Sequence, residues 1–135
     1  MTKFNLPFPY IVDHIPKDIP IPNNNNKPFQ KRPQFKLDWE FITIHDTGNE
    51  KSTAKNERGW LTNPSNTSST GWHIVVDEKE AIEAIPLNEV AWHAGDGANG
   101  TGNRKSIGIE LCESGNRQKT LNNAVLLVVA LLKSK

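Results

Sequence analysis

Two residues of this chain combine a reactive side chain with a position where chemistry could take place, and the first is His45. The segment Phe41–His45 is rich in β-branched and aromatic residues, which predicts a buried strand, and the polar stretch Asp46–Asn49 follows at once. His45 thus stands at a strand end, where functional side chains are often presented. Neutral imidazole is the commonest zinc ligand. A lone strand histidine is more often structural, and the sequence has no HExxH motif, so both interpretations stay open.

The second is Glu110, which lies between Ile109 and Leu111 in an otherwise apolar segment. A carboxylate is costly to bury unless it is paired or hydrogen-bonded. In a partly dry cleft its affinity for protons rises, which suits a general base or acid, whereas on an edge strand it would simply face water. Strand alternation puts Cys112 on the same face, and we expect this thiol to be buried and inert. We expect no functional role for His14.

The elements that must position these side chains alternate between strands and helices. The sequence predicts strands over residues 41–45, 72–77, 80–85 and 106–112. It predicts a short helix that is capped by Ser52 or Thr53 and ends near Leu61. Thr120 is predicted to cap a C-terminal helix over residues 121–132, which is apolar nearly all round and is therefore expected to be buried. This pattern predicts an α/β (α+β) layer architecture.

Composition and charge argue against several classes of protein. The formal net charge of +1 argues against a dedicated nucleic-acid binder, which needs clustered Lys and Arg. The longest apolar run, residues 124–132, is too short to span a bilayer, so no membrane partner is expected. The glycine-rich stretch 97–102 is predicted neither to follow a strand nor to open a helix, which argues against a nucleotide site.

The chain divides by composition into an arm and one domain. Residues 1–38 are rich in Pro and Asn, which predicts an extended arm without helix. Residues 39–135 are predicted to form the domain that carries the chemistry. The N-terminus lacks the apolar core of a signal peptide, so we expect synthesis in the cytoplasm.

Four segments, in this order and at compatible spacings, resemble successive blocks of the type 2 N-acetylmuramoyl-L-alanine amidases, especially endolysins of phages and prophages of Gram-positive bacteria. The segments are residues 41–49, 71–77, 92–97 and 102–113. The resemblance implies a central mixed β-sheet flanked by helices, shared with peptidoglycan recognition proteins. It implies hydrolysis of the amide between N-acetylmuramic acid and L-alanine, and therefore peptidoglycan as the partner and cell-wall degradation as the role. We expect the protein to be a monomer.

The resemblance also implies a site with one zinc ion. His45 matches the first zinc ligand, and Glu110 matches the catalytic carboxylate that promotes attack of water on the amide. Four residues match a loop that lines the substrate cleft, namely Trp92, His93, Gly95 and Asp96. Cys112 matches a strand cysteine that is not a ligand. Trp72 and His73 are neighbours on a strand, so at most one can face the cleft, and the sequence leaves open which.

The chain departs from the family in one respect. In the family the second histidine ligand and the third ligand follow the C-terminal helix, whereas this sequence stops at Lys135. We therefore expect the domain to be incomplete at its C-terminus and to bind zinc poorly by itself, because catalytic zinc usually has three protein ligands. The alternatives are a truncated homologue that binds peptidoglycan without cleaving it, and a small structural or regulatory protein, which no feature of the sequence specifically favours.

Overall fold

A computed structural model describes residues 3–17 and 31–135. In these residues five strands form one sheet in the order β1-β4-β3-β5-β2. The strands are β1 (Tyr10–Val12), β2 (Phe41–Asp46), β3 (Ile74–Val76), β4 (Ala81–Glu83) and β5 (Ser106–Leu111). The helices are α1 (Ala54–Leu61), α2 (Thr101–Lys105) and α3 (Arg117–Ser134). The predicted mixed sheet flanked by helices is confirmed.

The sheet is mixed because β4 runs antiparallel to β3, whereas β5 is parallel to both β3 and β2. Alternate residues of β5 face opposite layers. One layer contains α3, whose Leu127 packs in a core cluster with Ile107 and Ile109. The other contains α1, whose Leu61 lies in a cluster with Val75. The sheet therefore has two covered faces, but α1 covers its face mainly over β3 and β4.

β2 was predicted to be buried, and this prediction is wrong. None of its residues is buried, and Phe41 is 53% exposed. β2 is the outer strand of the described sheet and pairs only with β5, so its far side has no neighbouring strand to cover it.

The short helix α1 begins and ends where the sequence indicates. Thr53 is the cap: its hydroxyl accepts from the backbone N–H of Asn56, and the Asn56 side chain accepts from the backbone N–H of Thr53. This reciprocal pair satisfies two backbone donors that a helix start leaves unpaired. The choice left open between Ser52 and Thr53 is therefore resolved.

Helix α3 differs from the prediction at its start and in its burial. Asn116, not Thr120, is the cap, because the Asn116 side chain accepts from the N–H of Lys119. The helix packs on one side of the sheet, so only one stripe of it is buried. The buried residues are Thr120, Ala124, Leu127 and Leu131, and the exposed apolar residues are Leu121, Val125, Leu126, Val129 and Leu132. In the part of the chain that the structure describes, no helix has the length and apolarity needed to cross a membrane.

The N-terminal arm supplies a strand that the sequence did not indicate. β1 pairs in parallel with β4, so the extended arm forms the edge of the sheet opposite β2. The asparagine run 23–26 of the predicted arm lies outside the described residues.

The buried carboxylate of Glu83 attaches this arm to the sheet. Its oxygens accept from Tyr10 Oη at 2.6 Å and Lys3 Nζ at 2.8 Å, and lie 2.6 Å from His14 Nε2. Burial alone would raise the pKa of Glu83, but the hydrogen bonds from Lys3, Tyr10 and His14 outweigh it and lower the pKa. Burial, reinforced by Glu83, raises the pKa of Tyr10, so its phenol remains a donor. The charged form of Glu83 is therefore the form that holds the arm.

Replacing this carboxylate should loosen the arm. We expect Glu83→Gln to lower the free energy of unfolding by about 2 kcal/mol near neutral pH, since three donors lose a charged acceptor. Glu40→Gln is the control: Glu40 is half-exposed in its ion pair with Lys105, and its loss should change stability by less than about 0.5 kcal/mol. Urea unfolding measures both.

The pH dependence gives a second test of the same contact. The pKa of Glu83 is lower in the folded state, so its stabilisation is present above the ordinary value of 4.5 and is lost as pH falls through the folded-state pKa. The difference between the native chain and Glu83→Gln should shrink on acidification. Equal unfolding midpoints for Glu83→Gln and Glu40→Gln near neutral pH would contradict this role.

Candidate active site

His45 and Glu110 are neighbours because β2 and β5 pair in register. Register partners in adjacent parallel strands point to the same face, and such strands lie about 4.8 Å apart. Val75 of β3 is the partner of Glu110 on its other side. Since α1 lies mainly over β3 and β4, His45 and Glu110 stand beside the covered region and are half-buried. β5 is an inner strand, so the alternative that Glu110 lies on an edge strand is wrong.

The imidazole of His93 comes from a loop and lies against His45. The His93 Nδ1 atom is 3.0 Å from His45 Nε2, and His93 is 9% exposed. The ring fits there because residue 108 is glycine: a β-carbon on Gly108 would stand 2.4 Å from His93 Cγ. The sequence predicted that His93 lines the cleft but not that it contacts His45. The signal that could have indicated it is a glycine inside an apolar strand, which often marks a close approach.

The loop that carries His93 is anchored by side-chain to backbone hydrogen bonds. The side-chain oxygen Oδ1 of Asn103 accepts from the backbone N–H groups of His93 and Ala94, both at 2.8 Å. The Asp96 carboxylate accepts from the N–H of Gly102 at 2.7 Å and of Asn103 at 3.2 Å. Asp96 therefore joins the loop to the start of α2, and its proposed contact with substrate stays a prediction.

The glycine-rich stretch does open a helix, contrary to the prediction from the sequence. Residues 97–102 were predicted to open no helix, but Gly100 is the N-cap of α2. The Asp96 carboxylate accepts from two N–H groups at this helix start and would repel a phosphate, which disfavours a nucleotide there.

Trp92, His93 and Gly95 line one cavity of about 330 Å³, together with Ser69 and Thr70. Trp92 is only 6% exposed and packs edge-to-face against Phe35, with ring centroids 6.2 Å apart. It is therefore mainly a core residue that borders the cavity. Gly95 has φ +68°, a conformation that favours glycine.

The carboxyl of Glu110 is set to exchange a proton near neutral pH. Burial, followed by the negative charges of Glu57 and Asp46, raises its pKa from 4.5 to about 7. A general acid or base is most effective when its pKa lies near the working pH. The predicted role in catalysis is thus compatible with the electrostatics of the site.

The imidazoles of His45 and His93, which face each other, are both mainly neutral near neutral pH. Burial lowers the pKa of His45 below 6.5. Burial lowers that of His93 to about 4, and proximity to His45 contributes in the same direction. Neutral imidazole is the form that binds metal ions.

Neither member of the Trp72–His73 pair is presented to solvent. Trp72 is 5% exposed and His73 is 0% exposed. The His73 Nδ1 atom accepts from the N–H of Gly108 at 2.9 Å, so Nε2 carries the proton and donates to the carbonyl of Glu89 at 2.7 Å. Burial, the main cause, lowers the pKa of His73 to about 4. His73 thus supports the backbone on which His93 lies.

Cys112 is buried and free, and burial together with nearby carboxylates raises the pKa of its thiol to about 12. A thiol with this pKa is a poor nucleophile, in agreement with the inert role expected for it.

The ligands for a metal ion are incomplete within residues 3–17 and 31–135. No group of three or more His, Cys, Asp or Glu side chains there could hold a metal ion. His45 fits a first ligand position because it is neutral and half-buried.

Comparison with known proteins gives one family. The family model described as N-acetylmuramoyl-L-alanine amidase matches residues 35–135. The chain is 51% identical over 100 residues to the N-acetylmuramoyl-L-alanine amidase CwlA of Bacillus subtilis (strain 168), covering 71% of this chain and 36% of CwlA. It is 42% identical over 124 residues to CwlH of the same strain, covering 88% of this chain and 46% of CwlH. The chain thus spans less than half the length of these two relatives.

Solved structures agree with the fold. The catalytic domain of XlyA superposes with a TM-score of 0.75 at 37% identity, covering 93% of this chain and 76% of that one. A mutant endolysin from Bacillus subtilis gives a TM-score of 0.76 at 40% identity, covering 94% and 77%.

Gly108 should be difficult to replace, because the His93 ring lies directly over it. We expect Gly108→Ala to lower the free energy of unfolding by about 1–3 kcal/mol, because the new methyl group overlaps the His93 ring. Gly59→Ala is the matched control: Gly59 lies in α1 with nothing within 4 Å of an added β-carbon, so alanine should stabilise by about 0.5–1 kcal/mol. Chemical denaturation would contradict the packing if both substitutions had the same sign.

The raised pKa of Glu110 predicts a pH-dependent stability. The protonated carboxyl stabilises the fold fully below the ordinary value of 4.5, and this contribution is lost as pH rises through about 7. In metal-free protein, Glu110→Gln should therefore be more stable than the native chain above about pH 8, by about 1–2 kcal/mol after solvent screening. Below about pH 4 the two should converge. Equal stability at both pH values in thermal unfolding would refute the shift.

Proposed function

Because the chain belongs to the type 2 N-acetylmuramoyl-L-alanine amidase family, in its phage endolysin branch, we propose that it hydrolyses the amide between N-acetylmuramic acid and L-alanine in bacterial peptidoglycan. The observation that carries the proposal is the register pairing of His45 with Glu110 beside an open region of the sheet. The enzyme acts at the cell wall, where its substrate is, and works as a monomer.

Glu110 is the proton carrier in this proposal. Its carboxylate takes a proton from the attacking water as the oxygen bonds to the amide carbon. The same carboxyl then returns the proton to the nitrogen of L-alanine as the carbon–nitrogen bond breaks. A positioned acid–base group contributes about 10²- to 10⁴-fold in rate. The pKa of about 7 lets Glu110 both accept and release the proton at neutral pH.

His45 is the proposed first ligand of a zinc ion. When bound, zinc polarises the amide carbonyl and lowers the pKa of water toward neutrality. Since the described residues hold no group of three ligands, the remaining ligands of a zinc-dependent enzyme would have to come from outside these residues. The family resemblance points to a segment after the C-terminal helix.

The substrate is proposed to lie over His45 and Glu110 and to extend along two cavities. One is the cavity beside Trp92, His93 and Gly95. The other, of about 430 Å³, lies between the loop after β2 and α1 and includes Glu57 and Trp60. Trp60 is 47% exposed, and its ring is available as a contact surface.

A second candidate function is peptidoglycan binding without cleavage. It is favoured by one observation, the lack of a three-ligand group among the described residues. Both candidates use the same surface, so only the chemical outcome separates them.

The deciding experiment incubates purified Bacillus subtilis walls and zinc with the chain by itself and with a version that carries, after α3, the segment that supplies the remaining ligands in the family. Hydrolysis of this amide frees the α-amino group of L-alanine, so we expect new amino groups to appear with the extended version. Glu110→Gln should lower their rate of release at least about 100-fold, because the proton carrier is lost. Glu40→Gln, immediately before β2, should leave the rate unchanged. Undiminished release by Glu110→Gln would reject the assigned role, and wall retention without release, insensitive to chelator, would establish binding alone.

A further inference from the structure

A continuous chain of hydrogen bonds links β5 to His45 through His93. The carbonyl oxygen of Ser106 lies 3.3 Å from His93 Nε2, and His93 Nδ1 lies 3.0 Å from His45 Nε2. These two contacts use both ring nitrogens of His93. The second contact uses Nε2 of His45 and does not involve Nδ1 of His45.

The chemistry of these groups determines which atom donates and which accepts in each of the two hydrogen bonds. A backbone carbonyl can only accept, so the proton of a neutral His93 ring is on Nε2 and is donated to Ser106. His93 Nδ1 then carries a lone pair and accepts. The proton between the two rings therefore belongs to Nε2 of His45, which leaves Nδ1 of His45 as an unprotonated nitrogen.

The His93 ring is held tightly enough to impose this order. It is 9% exposed and lies over the backbone of Gly108, where an added β-carbon would overlap it. Its own backbone N–H is bound to Asn103. In the described part of the chain, the hydrogen-bond partners of the ring are His45 and Ser106, so both ring nitrogens are held by fixed neighbours.

We propose that His93 is a positioning residue that fixes the tautomer and orientation of His45, so that Nδ1 of His45 is the atom offered to a metal ion. The use of that nitrogen as a ligand rests on the proposed function, whereas the tautomer does not. A hydrogen bond on the other ring nitrogen commonly determines which nitrogen of a histidine binds a metal. This role differs from the contact with substrate that the family resemblance implies for His93.

The first test examines the native chain without metal. Long-range ¹H–¹⁵N correlation spectra of the ¹⁵N-labelled protein distinguish protonated from unprotonated imidazole nitrogens. We expect both His45 and His93 to carry their protons on Nε2 near neutral pH. A proton on Nδ1 of His45 would overturn the proposal, and so would a proton on Nδ1 of His93. This result does not depend on activity, so it stands or fails separately from the proposed hydrolysis.

The second test uses a pair of substitutions at His93. His93→Leu removes the acceptor, whereas His93→Asn can place its amide oxygen near the position of Nδ1. In His93→Leu the His45 spectrum should become a mixture of the two tautomers, because the acceptor for Nε2–H is lost. His93→Asn should keep the Nε2–H form of His45. An unchanged His45 tautomer in His93→Leu would overturn the proposal.

Discussion

Parallel pairing of β2 with β5 is the constraint on which the candidate site depends. Backbone hydrogen bonds set the register, and the register alone decides that His45 stands beside Glu110. A slip of one residue would turn one of the two side chains to the opposite face of the sheet, toward the layer that contains α3. The outer strand β2 contributes little to the core, as its exposed residues show, so its main contribution is to place His45.

The second property of the site is the placement of neutral polar groups in partly dry surroundings. His45, His93 and His73 all have lowered pKa values, and Glu110 has a raised one, with burial the largest cause in each case. The cluster therefore carries little charge near neutral pH and keeps one carboxyl ready to exchange a proton. His73 and Gly108 support this arrangement. His73 Nδ1 accepts from the backbone N–H of Gly108, and the His93 ring lies against Gly108.

Features set by local sequence were predictable, and features set by distant contacts were not. The end of α1 and its Thr53 cap follow from nearby residues, as does the apolar strand around Glu110. Three features depend on which element lies opposite each segment, which no local pattern specifies. They are the exposure of β2, the exposed stripe of α3 and the strand in the arm. The contact between His93 and His45 depends on the loop that carries His93, on the strand pairing that places His45 and on Gly108 of β5 together. The roles of His45, Glu110 and the loop residues came from family resemblance and remain predictions.

The β2–β5 register can be measured directly by scalar couplings across hydrogen bonds in a long-range HNCO spectrum. Two bonds flank the paired segment: the N–H of Glu40 donates to the carbonyl of Lys105 at 2.8 Å, and the N–H of Thr47 donates to the carbonyl of Leu111 at 3.1 Å. The account predicts couplings between these two pairs. Couplings to carbonyls one residue away in either direction would separate His45 from Glu110 and contradict it.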